Sequence, residues 1–290
     1  MGVDLAAVLA APPVLLDGGM GSALIARGLR QGRPPELWNI ERPEQVEEVH
    51  AAYIAAGSDV VQTNTFGGNE IALANCGLAE RMEELNRAAV QIARAAAGDR
   101  IVAGNIGPSG ELLPPVGTAD PALLKAAFAR QAAALESAGA DMLAIETMTD
   151  LREALCALEG ALEATGLPVT VCLSFDRKRR GFFTMMGDRL EEAAAVLADA
   201  GATAVGANCS VGSEVLLEAT ALLVAASSVP VIIKPNAGLP EVTPEGLVYR
   251  QEPGAFARDM AAAARLGAAA IGGCCGTDER FIAALARALR

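Results

Sequence analysis

The segment Ala138-Gly139-Ala140-Asp141-Met142-Leu143-Ala144-Ile145-Glu146-Thr147 contains the end of a predicted helix, a glycine, and an apolar run that ends in a carboxylate. Glycine directly after a helical pattern is typical of a helix C-terminus. An apolar run without polar alternation is typical of a strand buried on both faces of a parallel sheet. Ala56-Gly57-Ser58-Asp59 introduces another predicted strand in the same way. The chain is therefore expected to repeat a helix–glycine–strand unit.

Eight such units follow one another without a Pro/Ser-rich linker, which predicts an α/β fold, a (β/α)8 TIM barrel forming a single domain over residues 1–290. A doubly wound open sheet is the alternative, but eight successive units favour closure. The predicted strands are Val14–Met20, Asp59–Thr65, Ile101–Ile106, Asp141–Thr147, Val169–Phe175, Ala204–Cys209, Val231–Pro235 and Ala268–Gly273. The predicted helices are Pro43–Ala56, Glu70–Ala97, Pro121–Ala138, Asp150–Ala164, Arg189–Ala200, Ser213–Ala226, Pro253–Leu266 and Asp278–Arg290.

Composition narrows the class of protein. The net charge of −12 argues against nucleic acid as a partner, because phosphate binding requires clustered Lys and Arg. The chain does not open on a basic and then apolar segment, and its apolar runs stay below the ~18 residues of a membrane helix, so we expect neither a signal peptide nor membrane association. We therefore expect a cytoplasmic protein whose six cysteines serve as metal ligands or catalytic groups rather than as disulfides. The single histidine, His50, excludes a multi-histidine metal site.

Residues with reactive or flexible character lie where the predicted strands end. In a barrel of this type the active site lies at the carboxyl ends of the strands. The coincidence of these residues with the strand ends indicates a catalytic centre there. They are Asp17-Gly18-Gly19-Met20-Gly21, Thr63-Asn64-Thr65-Phe66-Gly67-Gly68, Gly107-Pro108, Glu146-Thr147, Asn208-Cys209, Lys234-Pro235-Asn236 and Cys274-Cys275.

Three cysteines form the most specific pattern. Cys274 and Cys275 lie between glycines in Gly272–Gly276, and Cys209 ends the sixth predicted strand. Three sulfur ligands with one open position are typical of a catalytic Zn²⁺ site, and such a site favours binding a substrate thiol that then accepts an alkyl group. The alternative is that they are ordinary buried cysteines, which is the interpretation preferred for Cys76, Cys156 and Cys172.

Four further strand-end residues each have two interpretations. Asp17 either holds the ammonium group of an amino-acid substrate or caps a helix that begins near Ser22. Glu146 is either a site residue or a member of an ion pair. Phe66 either covers an apolar methylene chain or packs in the core. Asn208 either orients the adjacent Cys209 or serves a turn.

Lys234 supports a competing hypothesis, because a lysine at the end of a barrel strand can form a Schiff base as in a lyase or aldolase. Pro235 and the nearby cysteines favour a structural or substrate-positioning lysine instead. The basic run Arg177–Arg180 is either a solvated turn or a contact for an acidic methyl-donor protein.

With these residues in place, almost the whole chain resembles the zinc-dependent homocysteine S-methyltransferase family. The resemblance rests on the order and spacing of Asp17–Gly21, Thr63–Phe66, Gly107-Pro108, Glu146-Thr147, Gly206–Cys209 and Gly272–Gly276. It implies a (β/α)8 barrel that uses Zn²⁺, held by Cys209, Cys274 and Cys275, to transfer a methyl group to homocysteine and form methionine. It also implies that Asp17, Gly18 and Glu146 hold the amino-acid end of homocysteine, with Phe66 beside its methylene chain.

The resemblance leaves the methyl donor open. Thr63–Phe66 and Glu146-Thr147 are more similar to the methionine-synthase branch of the family than to the betaine branch. The chain lacks a cobalamin or folate module, so the donor is expected to be either a separate methylated corrinoid protein or a small sulfonium such as S-methylmethionine. The loop Ser174–Asp188, which contains Met185-Met186, is expected to form part of the donor surface. A thiol other than homocysteine is the remaining alternative for the acceptor.

Overall fold

The computed structural model describes residues 4–10, 13–30, 32–243 and 246–289. Eight strands form one parallel sheet in the order first, eighth, seventh, sixth, fifth, fourth, third, second. Helices fill the connections, so the predicted single-domain TIM barrel is confirmed. The barrel strands are Val14–Leu15, Val60–Gln62, Ile101–Ile106, Met142–Met148, Val169–Leu173, Ala204–Gly212, Val231–Asn236 and Ala268–Ile271. The α-helices are Leu5–Leu9, Met20–Ala26, Trp38–Glu41, Pro43–Ala56, Glu70–Ala74, Met82–Ala97, Pro121–Ser137, Leu151–Ala164, Leu190–Asp199, Ser213–Ala226, Pro253–Arg265 and Glu279–Leu289.

The first and second strands meet through Asp59, which precedes the second strand. The backbone N–H of Asp59 donates to Leu15 O at 2.7 Å, and its carboxylate accepts from Leu15 N at 2.9 Å. A side chain thus supplies part of the hydrogen bonding where the strands are shortest. Asp59, the aspartate of the segment Ala56-Gly57-Ser58-Asp59, therefore helps to close the barrel.

The core has two layers. Apolar side chains between the strands and the surrounding helices form the larger cluster. A smaller cluster fills the barrel interior, and Leu5 and Leu9 of the first helix belong to it together with Val14, Leu16 and Cys172. This short N-terminal helix, which the sequence analysis did not predict, adds to the apolar filling of the barrel. Within the described residues, none of the helices combines the length and apolarity needed to cross a bilayer.

The predicted helix Glu70–Ala97 is wrong, because two helices, Glu70–Ala74 and Met82–Ala97, occupy that stretch. Gly77 adopts a left-handed φ of 70° between them. Leu78 N donates to Leu73 O at 2.9 Å, the bond that closes a helix at a left-handed glycine. An alanine-rich pattern on both sides concealed this break.

Other boundaries also differ from the predictions. The first strand ends at Leu15, and a helix begins at Met20, so residues 16–19 form a connection rather than strand. Two antiparallel hairpins were not predicted: Asp176–Lys178 pairs with Gly181–Phe183, and Glu241–Thr243 pairs with Gly246–Val248. Their three-residue strands are too short to show an alternating pattern. The last predicted helix ends at Leu289, and Arg290 lies outside the described residues.

Candidate active site

A cavity of about 470 Å³ opens at the carboxyl ends of the barrel strands. Asn208 lies behind it, whereas its lining includes the predicted metal ligands and most of the predicted substrate-binding residues: Asp17, Gly18, Phe66, Glu146, Cys209, Cys274 and Cys275. Residues of the fourth and sixth strands and of the connections after the first, second and eighth strands therefore converge on one volume. The cavity lies where the sequence predicted a catalytic centre, at the carboxyl ends of the strands.

The three cysteines form a cluster on the cavity wall. Their sulfur atoms all lie within 4.8 Å of one another, and Cys209 Sγ is 3.9 Å from Cys275 Sγ. All three thiols are free and half-buried. Sulfurs bound tetrahedrally to one zinc at ~2.3 Å would be about 3.8 Å apart. The spacing and the donor type therefore fit a metal ion, so the cluster can bind one.

Unusual backbone geometry directs these thiols into the cavity. Cys209 has φ 62° and Ser210 has φ 56°, left-handed values that cost roughly 1–3 kcal/mol per non-glycine residue. Gly276, after the two later cysteines, has φ 79°, and a Cβ there would lie 2.2 Å from the Tyr249 ring. Only glycine fits at that position, which explains why the double cysteine is followed by one.

Asn208 supports the cluster from behind and is fully buried. Its side-chain amide donates to Thr147 Oγ1 at 2.8 Å and lies 3.8 Å from Cys274 Sγ, while its Oδ1 accepts from Thr147 N at 2.8 Å. Thr147 also has a left-handed φ, of 61°, which these two bonds help to maintain. Asn208 thus contacts Cys274 rather than the neighbouring Cys209, and it also holds the left-handed turn at Thr147.

The three thiols share their protons. Hydrogen bonds from Cys274 and then Cys275 lower the pKa of Cys209 to about 3. The same bond to Cys209 raises the pKa of Cys274 and, with burial, the pKa of Cys275. The cluster therefore favours a single negative charge shared among the three sulfurs, and a metal would replace the protons that remain.

The floor of the cavity carries Asp17, which is 1% exposed. Its Oδ2 accepts from Gln62 N at 2.7 Å, whereas its Oδ1 has no hydrogen-bond partner. Burial raises the pKa of the Asp17 carboxyl to about 7, although Lys234 and the Gln62 N–H oppose this shift. The helix from Met20 has Gly19 at its N-cap without a side-chain cap, so the capping interpretation of Asp17 is wrong.

Glu146 is both a cavity residue and a member of an ion pair. Its Oε2 accepts from Lys234 Nζ at 2.7 Å and from Gln62 Nε2 at 3.0 Å, and its Oε1 accepts from Asn105 Nδ2 at 2.9 Å. Burial alone would lower the pKa of Lys234, but the Glu146 and Asp17 carboxylates raise it above its usual value. A Schiff-base lysine requires the neutral amine, so this charged, paired lysine argues against the lyase hypothesis.

Phe66 and Gly18 complete the lining. Phe66 is 41% exposed, which excludes the core-packing interpretation, and its ring lies against Gly107. A Cβ at Gly18 would lie 2.9 Å from Thr277 O and from the Tyr53 ring. A side chain at position 18 would therefore displace the wall of the cavity.

Several cavity residues were missed by the sequence analysis. Gln62 and Asn105 also lie at strand ends, so the same positional argument would have found them. Glu36 is buried and accepts from Gly67 N at 2.7 Å, which fixes the loop that carries Phe66. Cys76 was predicted to be buried, but it is exposed and lines the cavity, because it lies in the helix break before Gly77.

The basic run Arg177–Arg180 covers the end of one strand of the first hairpin and the turn after it, and Arg177 pairs with Glu218 at 3.1 Å. Lys178 pairs with Asp176 at 2.9 Å. Both pairs are exposed to solvent. These contacts agree with the solvated-turn interpretation of the run.

The fold and the site together define a single-domain (β/α)8 barrel enzyme with a cluster of three thiols at its mouth that can hold a metal ion. The chain belongs to the homocysteine S-methyltransferase family, whose sequence profile it matches over residues 14–289. In an alignment of 305 positions it is 32% identical to a methionine synthase of Mycobacterium tuberculosis. In an alignment of the same length it is 31% identical to that of Mycobacterium leprae. Both alignments cover 99% of this chain but only 25% of the relative, so the chain spans about a quarter of their length.

Solved structures agree with this assignment. The metallated form of the homocysteine methyltransferase MmuM from Escherichia coli superposes with a TM-score of 0.80 at 28% identity, covering 98% of this chain and 99% of that one. The oxidized form of the same protein gives the same TM-score. The carboxyl transferase domain of Rhizobium etli pyruvate carboxylase, at 15% identity and a TM-score of 0.52 over 93% of this chain and 41% of that one, shares the fold alone.

Proposed function

We propose that this protein transfers a methyl group to the thiol of homocysteine and so forms methionine. The observation that carries the proposal is the three-thiol cluster on the wall of the cavity, in a barrel of the homocysteine S-methyltransferase family. A thiol acceptor suits this site. A metal held by three sulfurs keeps a fourth position open, and the substrate sulfur can bind there.

We propose Zn²⁺ as the metal, held by Cys209, Cys274 and Cys275. Sulfur donors at this spacing suit zinc, and the E. coli relative is known in a metallated form. When bound, zinc would lower the pKa of the substrate thiol and keep the resulting thiolate nucleophilic. Asn208 would keep Cys274 oriented through its amide, as residues behind metal ligands commonly do.

We propose that Asp17, Gly18 and Glu146 bind the amino-acid end of homocysteine. An ammonium group requires acceptors, and the floor supplies the unpartnered Asp17 Oδ1 beside the Glu146 carboxylate. Ammonium binding would replace the proton that Asp17 carries below its pKa of about 7. Gly18 would let the substrate approach the backbone, and Phe66 would cover the methylene chain and keep water from the reacting sulfur.

For the methyl donor we propose either a separate methylated corrinoid protein or a small sulfonium such as S-methylmethionine. The first is supported by the similarity to one quarter of two methionine synthases, and the second by the full-length similarity to MmuM. Met185 in the Ser174–Asp188 loop is 67% exposed, which suits a donor surface. We further propose that residues 1–290 act as one homocysteine-binding domain in the cytoplasm, where the free cysteines would stay reduced.

A donor panel tests the proposal. Zinc-loaded protein is incubated with homocysteine and, in turn, S-methylmethionine, S-adenosylmethionine, betaine and methylcobalamin, and methionine is measured by mass spectrometry. We expect methionine with at least one donor, loss of activity in Cys275→Ala, and retained activity in Cys76→Ala, which removes a cavity cysteine outside the cluster. Equal activity in metal-free protein would contradict the proposal, and a borohydride-stable adduct at Lys234 would revive the lyase hypothesis.

A further inference from the structure

Lys234 is a buried charge that the proposed reaction does not use. It lies in the seventh barrel strand, Val231–Asn236, is 3% exposed, and lines the cavity floor. Its ammonium group donates to Glu146 Oε2 at 2.7 Å and also to Gln62 Oε1. A lysine without a specific role would rarely be placed at this depth, since burying a charge is costly even when it is paired.

Lys234 balances the charge of the floor. Asp17 and Glu146 contribute two negative charges when both are ionised, and Lys234 contributes one positive charge. One negative charge then remains, and the single ammonium group of an amino acid neutralises it. Without Lys234 the floor would hold two buried carboxylates against one substrate cation.

Lys234 also determines which part of Glu146 stays available. Each carboxylate oxygen accepts about two hydrogen bonds. Oε2 receives both Lys234 and Gln62, so it is filled, whereas Oε1 receives only Asn105. The carboxylate is thereby held in one orientation, with its free acceptor position on Oε1.

We propose that Lys234 is a positioning residue for substrate recognition. With Gln62 it fixes the Glu146 carboxylate so that Oε1 receives the ammonium group of the amino-acid substrate. This inference rests on the proposed binding of homocysteine at Asp17 and Glu146. It concerns recognition of the ammonium group and leaves the thiol cluster unchanged.

Two ligands separate this role from a general structural one. Homocysteine and 4-mercaptobutyrate both carry a thiol and a carboxylate, but only homocysteine has the ammonium group. Binding of each to the zinc-loaded protein is measured by calorimetry, together with zinc content and melting temperature. In Lys234→Met we expect homocysteine to bind about tenfold or more weakly. The buried Glu146 carboxylate loses its charged partner and is no longer held in the orientation that receives the ammonium group. Affinity for 4-mercaptobutyrate should change by about twofold or less, and Lys178→Met, an exposed lysine, should change neither.

A double-mutant cycle completes the test. If Lys234 acts through Glu146, adding Lys234→Met to Glu146→Gln should cost no further homocysteine affinity. If Lys234→Met does not fold, two other variants keep the test open. The double variant has no carboxylate at position 146, and Gln62→Leu leaves the Glu146 carboxylate paired with Lys234. We expect Gln62→Leu to weaken homocysteine selectively. Equal losses for both ligands, or tighter homocysteine binding, would overturn the inference. Failure of the unmodified protein to bind homocysteine would instead overturn the proposed function.

Discussion

The pH dependence of homocysteine binding follows from Asp17. Burial raises the pKa of its carboxyl to about 7, and the ammonium group requires the ionised form. With that pKa, about one eleventh of the molecules are ionised at pH 6 and about ten elevenths at pH 8. The KM for homocysteine should therefore fall about tenfold between pH 6 and pH 8. The KM falls as pH rises because the Asp17 carboxyl must lose its proton before it can bind the ammonium cation.

The substitution Asp17→Asn removes the titrating group and keeps the shape. We expect the variant to bind homocysteine about 10–150-fold more weakly at pH 8, the cost of one charge-assisted hydrogen bond. Initial rates of methionine formation are measured with both proteins from pH 6 to pH 8. The ratio of the two KM values isolates Asp17, because homocysteine itself titrates identically in both assays. Asp176→Asn, at an exposed aspartate, is the control. A KM ratio that does not change across this range would refute the reasoning.

Three further predictions concern stability and the thiol cluster. His50 is buried, and neither of its ring nitrogens has a hydrogen-bond partner. Burial lowers the pKa of its imidazole from 6.5 to about 4. As pH falls below 6.5, the unfolded chain therefore binds a proton at His50 before the folded protein does. The free energy of unfolding should drop by about 2 kcal/mol from this residue between pH 8 and pH 5, and His50→Leu should remove that part of the pH dependence in thermal or urea unfolding. In Gly19→Ala a Cβ would lie 2.5 Å from Cys274 O, so zinc content should fall, whereas Gly21→Ala, with open space around it, should retain the metal in elemental analysis. Asn208→Ala should weaken zinc binding about 10–100-fold in a chelator competition, and unchanged affinity would contradict its contact with Cys274.

The barrel was predictable from the sequence because each strand is a short apolar run, and the strands after the first each follow a helical pattern that ends in a glycine or a turn. The thiol cluster was predictable for the same reason, since Cys209 lies near the carboxyl end of the sixth strand and Cys274 follows the eighth, and these strand ends meet in space. The helix break at Gly77 was not, because alanine and leucine continue on both sides of it. Only the fold reveals that Gly77 is left-handed there.

The polar floor was predictable only in part. Asp17 and Glu146 stand out after apolar runs, but their partners are distant in sequence. Gln62 lies 84 residues from Glu146, and Lys234 lies 88 residues from it. Hydrogen bonds of this kind depend on the radius and stagger of the closed barrel, which the periodicity of single strands does not encode. The orientation of Asn208 toward Cys274 likewise depends on a left-handed turn at Thr147.

The most direct test of the central claim is the number of sulfur atoms around the metal, measured by X-ray absorption at the zinc edge with and without homocysteine. We expect one zinc per chain with three sulfur neighbours in the free protein, from Cys209, Cys274 and Cys275, and a fourth sulfur neighbour when homocysteine is added. The Cys275→Ala variant should lose the metal or one of these sulfurs. A sulfur count that does not rise on addition of homocysteine, with zinc bound at the cluster, would contradict the account.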